Sequence, residues 1–193
     1  DKAKVYVNNG AFENYYSKKS EEVTYIGLDK SLQSDSRIVL TDEFFQIGRN
    51  LLLFSNVNGK ECLSQCNNSL FAERRNTIIE DEFEHEQNLL ISENDKLVLI
   101  AGCAHRGIIN IIKSSAFLKC RLPDFVIGGF HLYNYSEGVS ADPSAVSRIG
   151  EFLKGTGSMF YTGHCTGIES FHTLKKILGN QIQYLSTGSV VEI

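Results

Sequence analysis

The sequence lacks several features that mark common classes of protein. It has 19 basic residues against 23 acidic ones, a formal net charge of −4, and no basic stripe of the kind that nucleic-acid-binding proteins carry. No apolar run approaches the roughly 18 residues that cross a bilayer. The first four residues are too polar to open a signal peptide. The sequence therefore predicts a soluble, cytoplasmic protein with no nucleic-acid or membrane partner.

The chain also lacks a disulfide framework, an internal repeat and any low-complexity segment. Its five cysteines are an odd number, in a chain of 193 residues that is long enough to bury its own core. Cys62 and Cys66 have C-x3-C spacing, which leaves a second metal site or a redox pair open. No further Cys or His pair follows at zinc-finger spacing, so we expect two reduced thiols in a loop. We predict a single domain over residues 1–193.

Two kinds of pattern are present along the chain. The first part is mostly β, with strands predicted at 4–7, 23–26, 37–40 and 44–54, a short helix at 12–17, and a polar loop at 55–80. From residue 88, strands at 88–92, 96–101, 124–128, 158–162, 181–186 and 189–192 alternate with helices at 107–118, 142–153 and 166–178. Asp142 and Pro143 form a favoured helix start. The pattern indicates a layered α/β fold.

Three of the five histidines stand at the same kind of place. His105, His131 and His164 each follow a predicted strand and one or two glycines. In layered α/β folds the carboxyl ends of strands open into the crevice where ligands bind, and neutral imidazole is the commonest metal ligand near pH 7. Three imidazoles at one sheet edge suit zinc, which in catalytic sites keeps a fourth position open. Manganese and ferrous iron remain alternatives.

The histidines do not all have the same predicted role. A lone histidine after a strand is usually a hydrogen-bonded loop residue, but three equivalent ones favour a shared metal site. We predict His105 and His164 as metal ligands. His131 is a third ligand or, alternatively, a substrate contact or an acid. Arg106, next to His105, is the other candidate for substrate contact, and no catalytic residue is assigned.

Four other residues near these motifs have simpler predicted roles. His85 lies in an acidic stretch and is predicted to be on the surface, and His172 lies within the last helix, exposed or packed. Cys103 and Cys165 flank the ligand histidines. Since a buried free thiol behaves as a small hydrophobic group, we expect both to be packing residues or to support the ligands.

The three histidine segments resemble one branch of a known superfamily. Residues 102–111 (GCAHRGIINI), 127–132 (IGGFHL) and 162–167 (TGHCTG) resemble the metallo-β-lactamase superfamily branch of 7,8-dihydropterin-6-methyl-4-(β-D-ribofuranosyl)-aminobenzene-5′-phosphate synthase. Residues 81–87 (DEFEHEQ) are also similar to that branch. The resemblance covers most of the chain and is strongest from residue 80 onward.

The resemblance implies a fold and a chemistry. It implies an αββα sandwich with a metal centre at one edge, in which His105 binds a first ion and His164 a second. In that branch an acidic residue often bridges the two ions. In this chain His131 occupies roughly that position instead, so the number of ions, one or two, remains open. The function implied is hydrolysis of a phosphoester or a pterin/ribosyl-phosphate-type substrate by a metal-bound water, whose pKa falls toward about 7, or a related synthase reaction.

One part of the superfamily pattern is missing. The motif His-x-His-x-Asp-His does not occur in the chain. We therefore expect an N-terminal section to be missing, and expect a partner: an N-terminal fragment or a separate chain that carries this motif. By itself the chain should bind metal poorly and hydrolyse little. The alternative is a non-catalytic binding or scaffold protein with a degenerate version of the fold. A dinucleotide-binding oxidoreductase is disfavoured, because no G-x-G-x-x-G joins a strand to a helix.

Overall fold

Strands fill the first hundred residues, and helices follow them. In a computed structural model that describes residues 2–135 and 137–193, all three α-helices come after residue 107. The strands are β1 (Val5–Asn8), β2 (Tyr15–Lys19), β3 (Glu22–Tyr25), β4 (Ile38–Thr41), β5 (Phe44–Ile47), β6 (Leu51–Phe54), β7 (Leu70–Arg74), β8 (Thr77–Glu80), β9 (Asn88–Glu93), β10 (Lys96–Ile100), β11 (Phe125–Ile127), β12 (Tyr133–Asn134), β13 (Val139–Ser140), β14 (Met159–Thr162) and β15 (Ile182–Tyr184). The helices are α1 (Ile108–Lys119), α2 (Pro143–Thr156) and α3 (Ile168–Leu178).

A seven-stranded sheet forms the centre of the molecule. Its strand order is β15-β14-β11-β10-β9-β6-β5, and the first four strands in this order run parallel. Each parallel neighbour is reached through a helix, because parallel strands need a long crossover connection. There are three smaller sheets in the described residues: the four-stranded sheet β3-β2-β7-β8, the two-stranded sheet β1-β4 and the small hairpin β12-β13.

The helices cover one face of the seven-stranded sheet. Alternate strand residues point to this face, as the two-residue period of a strand requires, and they form one core with apolar residues of the helices. Leu90, Leu99, Val126 and Phe160 are fully buried there. This layer therefore holds the parallel strands and their carboxyl ends in a fixed register.

The opposite face of the same sheet is also apolar, but it is much less covered. Two rows of paired residues cross it: Ile47, Leu51, Ile91, Val98, Phe125 and Met159, and Phe45, Leu53, Leu89, Ile100, Ile127 and Tyr161. Most of these side chains are half-buried. The β1-β4 sheet reaches this face at one end, where the rings of Tyr6 and Phe45 lie 5.6 Å apart.

Four local predictions were wrong. The predicted helix at 12–17 is instead the end of a 3-10 turn (Asn9–Phe12) followed by β2, whose two Tyr residues favour a strand. The predicted strand at 44–54 is the hairpin β5-β6. The predicted loop at 55–80 contains β7 and β8; β7 pairs with β2 on one side and with β8 on the other. No strand forms at 189–192, where no neighbouring strand is available.

The mixed α/β class is confirmed by this layered arrangement. Apart from the last strand, the alternating strands and helices predicted after residue 88 are present, with their ends within about three residues of the predicted ones. In the ranges 2–135 and 137–193, no helix is both long enough and apolar enough to cross a membrane. That the chain forms one domain remains a prediction.

Candidate metal centre

The three histidine segments meet at one edge of the large sheet. They follow β10, β11 and β14, which are adjacent parallel strands, so their carboxyl ends lie side by side. Backbone hydrogen bonds tie the segments together: Gly129 N donates to Gly102 O at 2.8 Å, and Leu132 N donates to Cys165 O at 2.9 Å. The three loops therefore form a single connected unit.

The backbone at this edge takes conformations that L residues rarely adopt. His131 has a φ of 46° and His164 a φ of 47°, in the left-handed region, which is uncommon for residues other than glycine. Gly128 has a φ of 154°, and a Cβ there would lie 2.3 Å from the carbonyl oxygen of Ala101. Such conformations cluster at functional sites, where the surrounding structure enforces them.

His105 is held on both sides of its ring. It stacks on Phe83 at a centroid distance of 4.5 Å and an interplanar angle of 11°, and the His131 ring lies 4.0 Å away. Asn67 Oδ1 is 3.0 Å from His105 Nδ1, and Asn67 Nδ2 donates to His105 O at 2.8 Å. With the proton on Nδ1, the other ring nitrogen is left as a potential ligand.

His131 carries the clearest signal of a ligand. Neither of its ring nitrogens has a hydrogen-bond partner of ordinary geometry, although both are buried. Burial, together with the nearby His105, lowers the pKa of His131 to about 4, so the ring is neutral at physiological pH. A buried polar group without a partner is costly, and a neutral imidazole in this state fits a metal ion.

Glu86 supports the His105 loop and was missed by the sequence analysis. Its carboxylate accepts hydrogen bonds from His105 N at 2.7 Å and from Arg106 N at 2.9 Å. Burial raises the pKa of Glu86, while the two N–H donors favour its charged form. Glu86 lies in an acidic run, which predicts a surface position. The only indication of a role in the site was that it falls in segment 81–87, which resembles the superfamily branch.

His164 lies with two thiols rather than with imidazoles alone. One ligand atom from each of Cys103, His164 and Cys165 lies within 4.8 Å of the others. Hydrogen bonds with Cys165 and His105 lower the pKa of Cys103 to about 3, whereas the hydrogen bond with Cys103 raises the pKa of Cys165. Cys165 is buried as expected, but both thiols belong to the site's donor set.

Two cavities flank His105. A cavity of about 560 Å³ includes Arg106, Asn67 and Phe83 in its lining, and one of about 410 Å³ includes Cys103 and His85. Arg106 donates from Nε to Val57 O at 2.7 Å and from a terminal nitrogen to Glu82 O at 2.6 Å, so the guanidinium is anchored at the cavity wall. Its substrate contact stays a prediction.

The remaining candidates have mixed outcomes. His85 is half-buried rather than on the surface as predicted: its ring packs 4.2 Å from Tyr15 and its Nδ1 is buried. His172 is exposed, which is one of its two predicted positions. Cys62 is half-buried and Cys66 buried, both as free thiols. Metal binding by His105, His131 and His164 stays a prediction.

Comparison with known proteins supports the resemblance. The chain is 28% identical over 117 residues to the 7,8-dihydropterin-6-methyl-4-(β-D-ribofuranosyl)-aminobenzene-5′-phosphate synthase of Methanocaldococcus jannaschii, and the match covers 60% of this chain and 38% of that protein. It is 29% identical over 115 residues to an uncharacterized protein of the same organism, covering 60% of this chain and 40% of that protein. The matches thus span about two fifths of either curated relative. No model of a known protein family matches.

A solved structure extends the comparison to nearly the whole fold. The crystal structure of Tm1679, a metal-dependent hydrolase of the β-lactamase superfamily, matches with a TM-score of 0.80 and 27% identity. The match covers 98% of this chain and 71% of that one. In fold and in sequence, the chain is therefore similar to the metallo-β-lactamase superfamily and, within it, to the branch of the pterin-phosphate synthase.

Proposed function

We propose that this chain contributes the metal centre of a metal-dependent hydrolase that acts on a phosphoester or a pterin/ribosyl-phosphate-type substrate. The observation that carries the proposal is the buried, neutral ring of His131, with two unpartnered nitrogens, 4.0 Å from the ring of His105. The metal-dependent hydrolase with a similar fold supports the same class of reaction. A related synthase reaction is the variant that the pterin-synthase relative supports.

The proposed ligands are His105, His131 and His164. Zinc suits this imidazole set, with manganese and iron as alternatives and one or two ions in the complete centre. A divalent ion supplies a water molecule activated at neutral pH and a positive charge for the substrate's oxygen atoms. We propose that Arg106, which lines the larger cavity, helps to orient an anionic substrate. A cytoplasmic location also stays a proposal, from the odd cysteine count of the sequence.

The test is metal content and phosphodiesterase activity of single variants of these histidines, measured in the presence of a fragment that carries His-x-His-x-Asp-His. We expect His105→Ala, His131→Ala and His164→Ala each to lower bound metal, and to lower hydrolysis of bis(p-nitrophenyl) phosphate at least about a hundredfold. His172→Ala is the matched control, because His172 is exposed on α3. Wild-type metal content and activity in all three variants would refute the proposal.

A second polypeptide segment is part of this proposal. The half-buried apolar face of the seven-stranded sheet, touched at one end by the β1-β4 sheet, supports a further β layer there, because each layer of a sandwich needs a partner to bury its apolar side. We propose that this layer is built from strands that extend the β1-β4 sheet and carry His-x-His-x-Asp-His. It would be an N-terminal fragment or a separate chain.

The partner is tested by reconstitution. A fragment that carries His-x-His-x-Asp-His should raise hydrolysis by the chain and protect the amides of β1 and β4 from hydrogen exchange. A fragment with its histidines replaced by alanine should give protection without activity. Full hydrolysis by the chain alone, unchanged by the fragment, would contradict the proposal.

A non-catalytic binding or scaffold role is the alternative. The absence of His-x-His-x-Asp-His from the sequence favours it. A non-catalytic role predicts that the 560 Å³ cavity binds a ligand of substrate size, and that no hydrolysis occurs even after the fragment is added. The hydrolysis assays described above would detect this outcome.

A further inference from the structure

We propose that Cys103, His164 and Cys165 form a thiolate-containing zinc site. The inference deepens the proposed function, on which it rests for the role of His164, by adding two thiolates to the proposed imidazole ligands. It also departs from the expectation of weak metal binding, which counted histidines alone and left the thiols out.

The distances allow an ion to be enclosed. One ligand atom from each of the three residues lies within 4.8 Å of the other two. Zinc with Zn–S bonds of about 2.3 Å and Zn–N bonds of about 2.0–2.1 Å in a tetrahedron needs ligand atoms about 3.6–3.8 Å apart. The cluster therefore has to contract by at most about 1 Å, which is within the reach of side-chain rotation.

The scaffold around the thiols leaves little other room for Cys165. A Cβ on Gly129 would lie 2.5 Å from Cys165 Sγ, so the glycine makes the space that the sulfur occupies. Cys165 Sγ lies 3.5 Å from Cys103 O, and the His164 carbonyl accepts a hydrogen bond from the Tyr135 hydroxyl at 3.0 Å. The contact with Cys103 O joins Cys165 to the loop that carries Cys103, and the Tyr135 hydroxyl ties His164 to the segment after β12.

The donor set selects a class of metal. Thiolate ligands favour zinc, copper(I) and iron–sulfur chemistry, whereas magnesium, calcium and manganese prefer oxygen ligands. Two cysteines and one histidine are a known zinc ligand set that keeps a fourth position open. When zinc binds, each coordinating thiol that is still protonated gives up its proton to solvent, and no oxidant is needed.

The experiment uses the whole chain, purified with a reductant and without chelator, with Co²⁺ as a spectroscopic substitute for zinc. We expect about one equivalent of Co²⁺ to give the near-ultraviolet charge-transfer absorption of a cobalt–thiolate bond, and zinc to displace it. Cys103→Ser and Cys165→Ser should each weaken this absorption and lower affinity for zinc at least about tenfold. Cys120→Ser, at an exposed free cysteine, is the matched control and should retain both.

Two further readouts keep the result interpretable. If Cys165→Ser does not fold, Cys103→Ser at the half-buried position decides, with zinc protection of the wild-type thiols against alkylation as the second measurement. Binding of Co²⁺ without thiolate absorption, or wild-type affinity in folded Cys103→Ser, would overturn the proposal. His105→Ala separates the two proposals. If this variant loses hydrolysis but keeps the thiolate absorption, both proposals are supported. If the wild-type chain shows the thiolate absorption but never hydrolyses the substrate, the thiol site is supported and the proposed function is refuted.

Discussion

At the residue scale, Gly128 is constrained by a neighbouring backbone rather than by a side chain. Gly128 follows β11 with a φ of 154°, and its missing Cβ faces the Ala101 carbonyl. A glycine precedes each of the three histidines in the sequence, and at Gly128 the structure shows why a larger residue would not fit. The left-handed φ of His131 and His164 could not be predicted, because no residue type other than glycine signals it reliably.

Replacement of Gly128 should therefore be costly. We expect Gly128→Ala to lower the free energy of unfolding by about 2–3 kcal/mol, because the new Cβ forces the β10 and β11 ends apart. Gly155→Ala, in α2 with open space around its Cα, should instead raise it by about 0.5–1 kcal/mol. Urea denaturation measures both. Equal effects of the two substitutions would show that the Ala101 contact is unimportant.

Glu86 offers a second test at this scale. Glu86→Gln replaces one of the two acceptor oxygens with an NH2 group, so only one of the hydrogen bonds from His105 N and Arg106 N can still form. We expect the free energy of unfolding to fall by about 1.5–3 kcal/mol, as for hydrogen bonds to a charged group, and metal content to fall with it. Glu84→Gln, at an exposed neighbour, should change neither quantity; a silent Glu86→Gln would argue against the carboxylate as the support of the His105 loop.

At the scale of elements, local signals were sufficient where the chain alternates strand and helix. Asp142 and Pro143 predicted the start of α2, and the Asp142 side chain accepts hydrogen bonds from Ser144 N and Ala145 N. The hairpin β7-β8 was missed because its stability comes from pairing with β2, more than fifty residues earlier. Its apolar residues, at 70–72 and 78–79, form runs too short to identify a strand by themselves.

The helix cap gives a prediction with a pH dependence. The hydrogen bonds from Ser144 and Ala145 lower the pKa of Asp142, so its stabilisation is present above its unfolded pKa, near 4, and is lost as the pH falls through the folded value. We expect Asp142→Ala to lower the melting temperature by about 2–4 °C at pH 7, and this gap to close in acid. Glu151→Ala, at an exposed acid of the same helix, should show no gap; a constant gap at all pH values would contradict the cap.

At the scale of the whole molecule, the two faces of the central sheet differ. Leu90 and Ile91 are neighbours on β9, yet Leu90 is fully buried under the helices and Ile91 is half-buried on the opposite face. The sequence showed both as apolar. It could not show which face lacks a covering layer, because that depends on how the strands pair across the molecule.

This difference gives a paired prediction. Ile91→Lys should reduce self-association of the chain and change its free energy of unfolding by about 1 kcal/mol or less. Leu90→Lys should unfold it, because burying an unpaired charge costs more than about 4 kcal/mol. Sedimentation velocity and urea denaturation measure the two effects. Unfolding by Ile91→Lys as well would mean that the face is packed within the chain.

The connection between Cys103 and Cys165 also has a consequence during synthesis. The two residues are 62 positions apart, so at roughly 5–20 residues per second about 3–12 s pass between their exits from the ribosome. For that interval the Cys103 thiol has neither Cys165 nor His164 beside it. The proposed zinc site therefore cannot assemble until the residues after β14 have been made, and in the meantime the thiol is open to any electrophile or oxidant that it meets.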